Sequence, residues 1–322
     1  MAEQTSLETV TLGPEGPTVP ALGIGTWAWG DSLFWNYGKD YGAEDVQAAF
    51  YAALDAGVNF FDTAEIYGLG DSEKLLGQFI QEANRPIMVA TKYFPMPWRF
   101  TPQSVADALT ASLQRLQLTS VALYQVHWPF DFFMGSKTLM NALAKEVQQG
   151  RIQAIGVSNY SAKKMREAHS YLAENGIPLA VNQVQYSLLN RDIEQNGILE
   201  TARDLGIAIL AYSPLAQGLL TGKYSLENYQ RPSGARRLAP QFSREGLAKL
   251  EPVIQVLREI GQGCDRTPAQ VALNWLIAQG NVVPIPGAKN ARQASQNAGA
   301  LGWIMTESER AAIDQVTRSY KR

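Results

Sequence analysis

The sequence predicts a (β/α)8 TIM barrel, and three observations predict it. Eight short apolar runs recur along 322 residues, and amphipathic helical pattern separates most of them. The runs are apolar nearly throughout rather than alternating, which marks parallel strands covered by helices. Eight such units favour a closed barrel over an open doubly wound sheet. At 46% hydrophobic residues, the chain has enough apolar material for a core of that size, so wholesale disorder is excluded.

In chain order, residues 1–20 are polar and carry Gly13, Pro14, Gly16, Pro17 and Pro20, which reads as an N-terminal hairpin or extended lead-in. Strands are expected at 21–27, 58–61, 87–91, 121–126, 152–156, 179–184, 207–211 and 282–285. Helices are expected at 43–57, 72–83, 102–117, 137–149, 162–175 and 194–205, then at 245–262, 268–279, 290–300 and 307–317. Gly57, Pro86, Gly150, Gly176, Pro178 and Gly206 punctuate the joins. Thr267-Pro268 opens its helix with a capping hydroxyl followed by proline. The rhythm breaks once, in a long polar insertion from Ser213 to Arg244 after strand 7, and a loop of that length in a compact fold is expected to be functional or mobile. No linker or second core intervenes, so residues 1–322 read as one domain.

The net charge of −2 gives no general attraction to nucleic acid or anionic membrane. No apolar run approaches the roughly 20 residues of a membrane span. The lone Cys264 suits a reducing compartment, and no basic flank with an apolar stretch opens the chain, so a cytoplasmic location is the expectation. With His127, His169 and one cysteine, no zinc site is expected.

Three consecutive apolar runs lead into polar groups. Asp62 follows Phe60-Phe61, with Tyr67 on the next loop; Lys92 closes the run from Ile87; His127 closes the run from Val121. Singly, a strand-end aspartate is ordinarily a cap and a lone histidine a core residue. Together at three strand ends they point to an active site, because barrel sites are built there. A phenol has a pKa of about 10. A neighbouring ammonium stabilises phenolate, a carboxylate orients the ammonium, and a histidine positions a carbonyl oxygen. That set serves carbonyl reduction, with Tyr67 as proton donor to an oxygen becoming an alkoxide.

Further strand ends carry Ser158, Asn159 and Gln183, short groups suited to a carboxamide or to turn chemistry. Tyr212 could stack on a flat ring or pack in the core. After strand 8, Gly287 precedes a helix opened by Asn290, with Lys289 and Arg292 adding charge: a phosphate cradle or a solvated helix start. Gly23 to Ala28 mimics a dinucleotide-binding glycine pattern, but no helix follows. Ser161-Ala162-Lys163-Lys164 matches S-x-x-K but opens an amphipathic helix without the companion motifs. Trp29, Phe34, Trp35, Tyr93, Trp98 and Trp128 lie after strands and are expected to wall a substrate pocket or to cover the barrel mouth.

Leu22 to Thr26, Phe61 to Gly68, Gly156 to Tyr160 and Ile285 to Asn290 together resemble the aldo-keto reductase superfamily over nearly the whole chain. Gly25 to Gly30, Trp128-Pro129 and Ala298 to Trp303 look like a branch found in cyanobacteria and plant chloroplasts. The resemblance implies NADPH bound without a Rossmann fold, NADH being the lesser cofactor, and a catalytic tetrad of Asp62, Tyr67, Lys92 and His127. It implies Ser158, Asn159 and Gln183 at the carboxamide, Tyr212 on the nicotinamide, and Ser213, Leu215, Gly218 and Lys223 around the pyrophosphate. Trp27 joins the cofactor-binding set. Gln296 and Asn297 match positions near the adenine. The adenosine end departs from the family pattern: Gly287-Ala288 stand where some members have Lys-Ser, and Gln293 where they have arginine, leaving Lys289, Asn290 or Arg292 for the 2′-phosphate. The expected partner is a small carbonyl substrate, and the expected state a monomer. Two rival readings are a nucleotide sensor with little turnover, resembling potassium-channel β-subunits, and an isomerase or aldolase using Lys92.

Overall fold

A computed structural model describes residues 8–227, 229, 231–232, 236, 238–318 and 320. The expected lead-in is a two-stranded antiparallel hairpin, β1 (Thr9–Thr11) with β2 (Thr18–Pro20); residues 1–7 of that expectation lie outside the described residues. Eight parallel strands follow in chain order: β3 (Ile24–Gly25), β4 (Phe60–Asp62), β5 (Met88–Tyr93), β6 (Val121–Val126), β7 (Ile152–Ser158), β8 (Leu179–Gln185), β9 (Ala208–Tyr212) and β10 (Val282–Pro284). Each pairs with the next. Gly23 N–H donates to Pro284 O and Gly25 N–H to Pro286 O, joining the first strand to the last and completing the TIM barrel.

The first strand is shorter than the expected 21–27. Its apolar neighbours are buried, but ladder pairing is confined to Ile24 and Gly25. Gly25 is required there, since a Cβ would sit 2.8 Å from Ile285 O. The helices run close to their expected bounds, from α1 (Ala43–Asp55), α2 (Asp71–Ala83), α3 (Pro102–Leu116), α4 (Ser136–Gln148) and α5 (Ala162–Ala173) to α6 (Ile198–Asp204). Then come α7 (Arg244–Cys264), α8 (Pro268–Ile277), α9 (Ala291–Ala298) and α10 (Glu307–Arg318). Only α6 is much shorter than read: left-handed Gly197 opens it, and a separate 3-10 turn occupies Asp192–Glu194. Thr267 caps α8 in a reciprocal box with Gln270, as its Thr-Pro opening predicts. Ser161 caps α5 by accepting from Lys164 N–H, so the S-x-x-K match is a helix start.

Side chains alternate across each strand, which sorts the barrel into layers. Phe60, Ala90, Leu123, Ala154, Val181, Leu210, Val283 and Ile285 form an apolar inner layer, plugged by Leu12 and Val19 of the hairpin. One step further along the same inner faces stand Asp62, Lys92, Gln125 and Gln183. Outward residues such as Phe61, Tyr93 and Tyr124 join the shell packed beneath the helices. No described helix is long and apolar enough to cross a membrane.

Candidate active site

The polar layer is one hydrogen-bonded unit. Asp62 ends β4, where its backbone carbonyl accepts from both the N–H (2.9 Å) and hydroxyl (3.0 Å) of Thr26. Its carboxylate is buried. Oδ1 accepts from Lys92 Nζ at 2.5 Å; Oδ2 accepts from Gln125 Nε2 at 3.0 Å and Gln183 Nε2 at 2.8 Å. Lys92 also donates to Thr63 O at 2.7 Å and to Tyr67 Oη at 3.3 Å. An ammonium has three N–H groups and no acceptor, so all three are committed and Tyr67 Oη is an acceptor in that contact. The phenolic proton therefore points elsewhere.

Tyr67 is placed by an unusual turn. Gly68, Leu69 and Gly70 all have positive φ (55°, 56° and 96°). Gly68 lies so close to the loop after β3 that a Cβ would be 2.7 Å from Gly30 O. His127 is set edge-on to Tyr67, ring centroids 5.8 Å apart, and its backbone N–H donates to Tyr93 O at 2.9 Å.

Burial and charge fix the protonation states. Burial pulls Lys92 down, but Asp62 and Tyr67 together hold its pKa above the usual lysine value. Burial, helped by Asp62, raises Tyr67 against the opposing pull of Lys92. A neighbouring ammonium alone predicts only a lowering, because spacing does not disclose desolvation. Burial, with the Lys92 charge, lowers His127 to about 3, so its imidazole is neutral.

Ser158, Asn159, Gln183 and Tyr212 meet beside this unit. Ser158 Oγ donates to Gln183 O (3.0 Å), Asn159 Nδ2 donates to Ser158 Oγ (3.0 Å), and Tyr212 Oη donates to Asn159 Oδ1 (3.0 Å). Asn159 takes a left-handed φ of 63°.

On the other side of the mouth, Lys289, Trp35, Tyr41 and Arg236 cluster. Lys289 Nζ lies 4.8 Å from the Trp35 ring centroid and 4.2 Å from that of Tyr41, and donates to Trp35 O at 3.1 Å. Arg236 packs on the same indole at 4.9 Å. Neither cation has a carboxylate ion-pair partner among the described residues, and Arg236 Nε is buried unpartnered. Burial first, then Arg236, lowers Lys289 to about 8. Lys223 adds its charge to this group from the loop after β9, where Ser213, Ala216, Gln217 and Gly218 run with positive φ and Leu215 is half buried. The donor set and its excess of positive charge suit a phosphate.

Several expected site residues have other duties. Trp29 is fully buried against Phe61 and Phe79, and its indole N–H donates to Ala288 O at 2.8 Å, so it ties the ends of the barrel ring and does not line the mouth. Tyr93 follows Lys92 in the strand and so faces the helices, 1% exposed. Trp35 carries the two cations and is not part of a simple apolar wall. Asn290 Oδ1 is occupied as the α9 cap by Gln293 N–H, while Gln293 Oε1 accepts Lys289 N–H. Asn297 is buried and donates to Gly287 O, which adjoins the barrel seam. Arg292 is exposed and Gln296 half buried. Trp27 sits at the mouth against Tyr67, Phe34 and Trp35. Trp98 and Trp128 are exposed on the loops after β5 and β6.

Five residues were missed. Gln125 stands two places before His127 and Phe94 two places after Lys92, so strand alternation alone could have found them. Glu65 and Arg99 form an ion pair across 34 positions, which no local pattern signals. Arg236 lies in the polar insertion without a motif.

The family model described as "Aldo/keto reductase family" matches residues 21–318. The chain is 39% identical to a chloroplastic pyridoxal reductase of Arabidopsis thaliana, over 97% of this chain and 86% of that protein. Among solved structures, a glycerol dehydrogenase from Gluconobacter oxydans superposes with a TM-score of 0.84 at 28% identity, covering 97% of this chain and 95% of the other. An aldo/keto reductase from Klebsiella pneumoniae, in complex with NADP and acetate, superposes with a TM-score of 0.75 at 27% identity, covering 98% of each.

Proposed function

This chain belongs to the aldo/keto reductase family, an oxidoreductase family, and on that premise we propose that it reduces aldehydes and ketones to alcohols with NADPH, Tyr67 being the general acid. The observation that carries the reading is the contact between Lys92 and Tyr67 Oη, which leaves the phenolic proton free to be donated.

The cofactor's phosphates would be held by Lys289, Arg236 and Lys223, and its carboxamide end by Ser158, Asn159 and Gln183 beside the Tyr212 ring. A nicotinamide cofactor held there would supply hydride to the carbonyl carbon. As charge gathers on the carbonyl oxygen, Tyr67 gives it a proton, and the resulting phenolate is stabilised by the Lys92 ammonium. Asp62 keeps Lys92 charged and aimed. His127, being neutral, positions the carbonyl oxygen without competing as an acid. Trp27 packs against Tyr67 and keeps water from the reacting atoms.

Aromatic aldehydes suit such a mouth, and pyridoxal, which the Arabidopsis relative is named for, is the first of them to try. The test is a fluorescence titration with NADPH and NADH, followed by addition of pyridoxal and a panel of other aldehydes. NADPH should bind the tighter and be oxidised by several aldehydes. Tight binding without oxidation by any of them would overturn the reductase reading.

A further inference from the structure

Glu65 lies two residues before Tyr67, yet its carboxylate serves the loop after β5. Oε1 accepts from Phe94 N–H at 2.6 Å and Arg99 NH1 at 2.5 Å, and Oε2 accepts from Arg99 NH2 at 2.9 Å. Arg99 NH1 donates back to Phe94 O at 2.8 Å, closing the 94–99 loop on itself. The pair is largely buried, its guanidinium lying over the Tyr93 ring. Phe94, gripped at both its N–H and its carbonyl, sets its ring edge-on to His127 with centroids 5.6 Å apart. His127 therefore makes near-perpendicular ring contacts with both Tyr67 and Phe94, and one carboxylate ties together the loops that bear those two rings.

A buried ion pair is weak evidence for stability, since apolar residues of the same volume often serve as well. What a two-pronged guanidinium–carboxylate contact adds is a fixed angle. The charges that act on Tyr67 are those of Lys92 and Asp62, so this pair acts by geometry rather than by field. We propose that Glu65 and Arg99 are positioning residues that fix Phe94 against His127 and so give the enzyme its preference for planar aromatic aldehydes over short aliphatic ones. The proposal rests on the reductase reading above.

The test compares kcat and KM for benzaldehyde and propanal in wild type, Glu65→Gln, Phe94→Ala and the double variant, with NADPH affinity measured in parallel. Glu65→Gln should keep NADPH affinity and propanal turnover, while its kcat/KM for benzaldehyde falls about ten- to hundredfold, as for a misplaced positioning group. Phe94→Ala should do the same, and the double variant should be no worse than Phe94→Ala, because both act through one contact. Arg99→Lys keeps the charge but loses the fork; it should reproduce the shift and replaces Glu65→Gln if that variant does not fold. An unchanged benzaldehyde-to-propanal ratio, or additive effects in the double variant, would overturn the latch while leaving the reductase intact. A wild type that oxidises NADPH with neither aldehyde would overturn both.

Discussion

Asp62 is a carboxylate at 2% exposure, compensated by one ammonium and two side-chain amides. Removing the ammonium leaves the charge with neutral donors only. Lys92→Met should therefore cost about 3–5 kcal/mol of stability, the range for breaking one half of a buried pair. Asp62→Asn with Lys92→Met should cost much less, and urea denaturation of the two variants checks the difference. His127 makes a separate prediction from its lowered pKa of about 3. The unfolded chain takes up this proton below about pH 6.5 and the folded chain does not, so acid favours unfolding throughout that window. Stability should fall with a contribution of up to about 1.4 kcal/mol per pH unit from this group. His127→Gln should remove that contribution, which denaturant midpoints measured between about pH 6.5 and 4 would reveal.

At the scale of elements, strands and loops differ in how much the sequence discloses. Once Asp62, Lys92 and His127 are on the inner faces, period-two alternation sends Tyr93 outward and brings Gln125 inward. No such rule governs the loop after β3, where Trp27, Trp29 and Trp35 are equally aromatic and lie within nine positions. Their fates depend on contacts made far along the chain, with Tyr67, Ala288 and Lys289 respectively. Trp29→Ala should destabilise the protein by about 3–5 kcal/mol as a core truncation, whereas Trp27→Ala, at the mouth, should cost turnover more than stability; thermal melts beside kinetics separate the two. Lys289 belongs to the same group of loops and carries a pH dependence. Binding a phosphate favours its ammonium form, so its pKa rises from about 8 on binding. NADPH affinity should then be full below about pH 8 and weaken as pH rises through that value. Lys289→Gln should flatten the profile, and titrations at about pH 7 and about pH 9.5 test it. An NADPH affinity that strengthens across that interval would contradict the sign.

For the molecule as a whole, the barrel was legible because nearly every strand is buried on both faces and advertises itself as an apolar run. The first strand was overextended for the same reason: Ala21 and Leu22 are fully buried but stand outside the ladder, against the hairpin and the seam. Closure depends on backbone approach at Gly25, which hydrophobic patterning does not report. The convergence of Asp62, Lys92 and His127 was legible since they stand at the ends of consecutive strands, with Tyr67 on the loop after the first of them. The cationic cluster at the mouth was half legible: Lys289 follows a strand, but Arg236 and Trp35 reach it from loops after other strands.

The measurement that bears most directly on the whole is single-turnover reduction of an aromatic aldehyde by NADPH in Tyr67→Phe. The substitution removes one oxygen and leaves the ring packed against Trp27 and His127. NADPH affinity should be retained while the rate of NADPH oxidation falls about 100- to 10,000-fold, the usual cost of losing a general acid. Oxidation at the wild-type rate, with the fold intact and NADPH bound, would show that the proton comes from elsewhere.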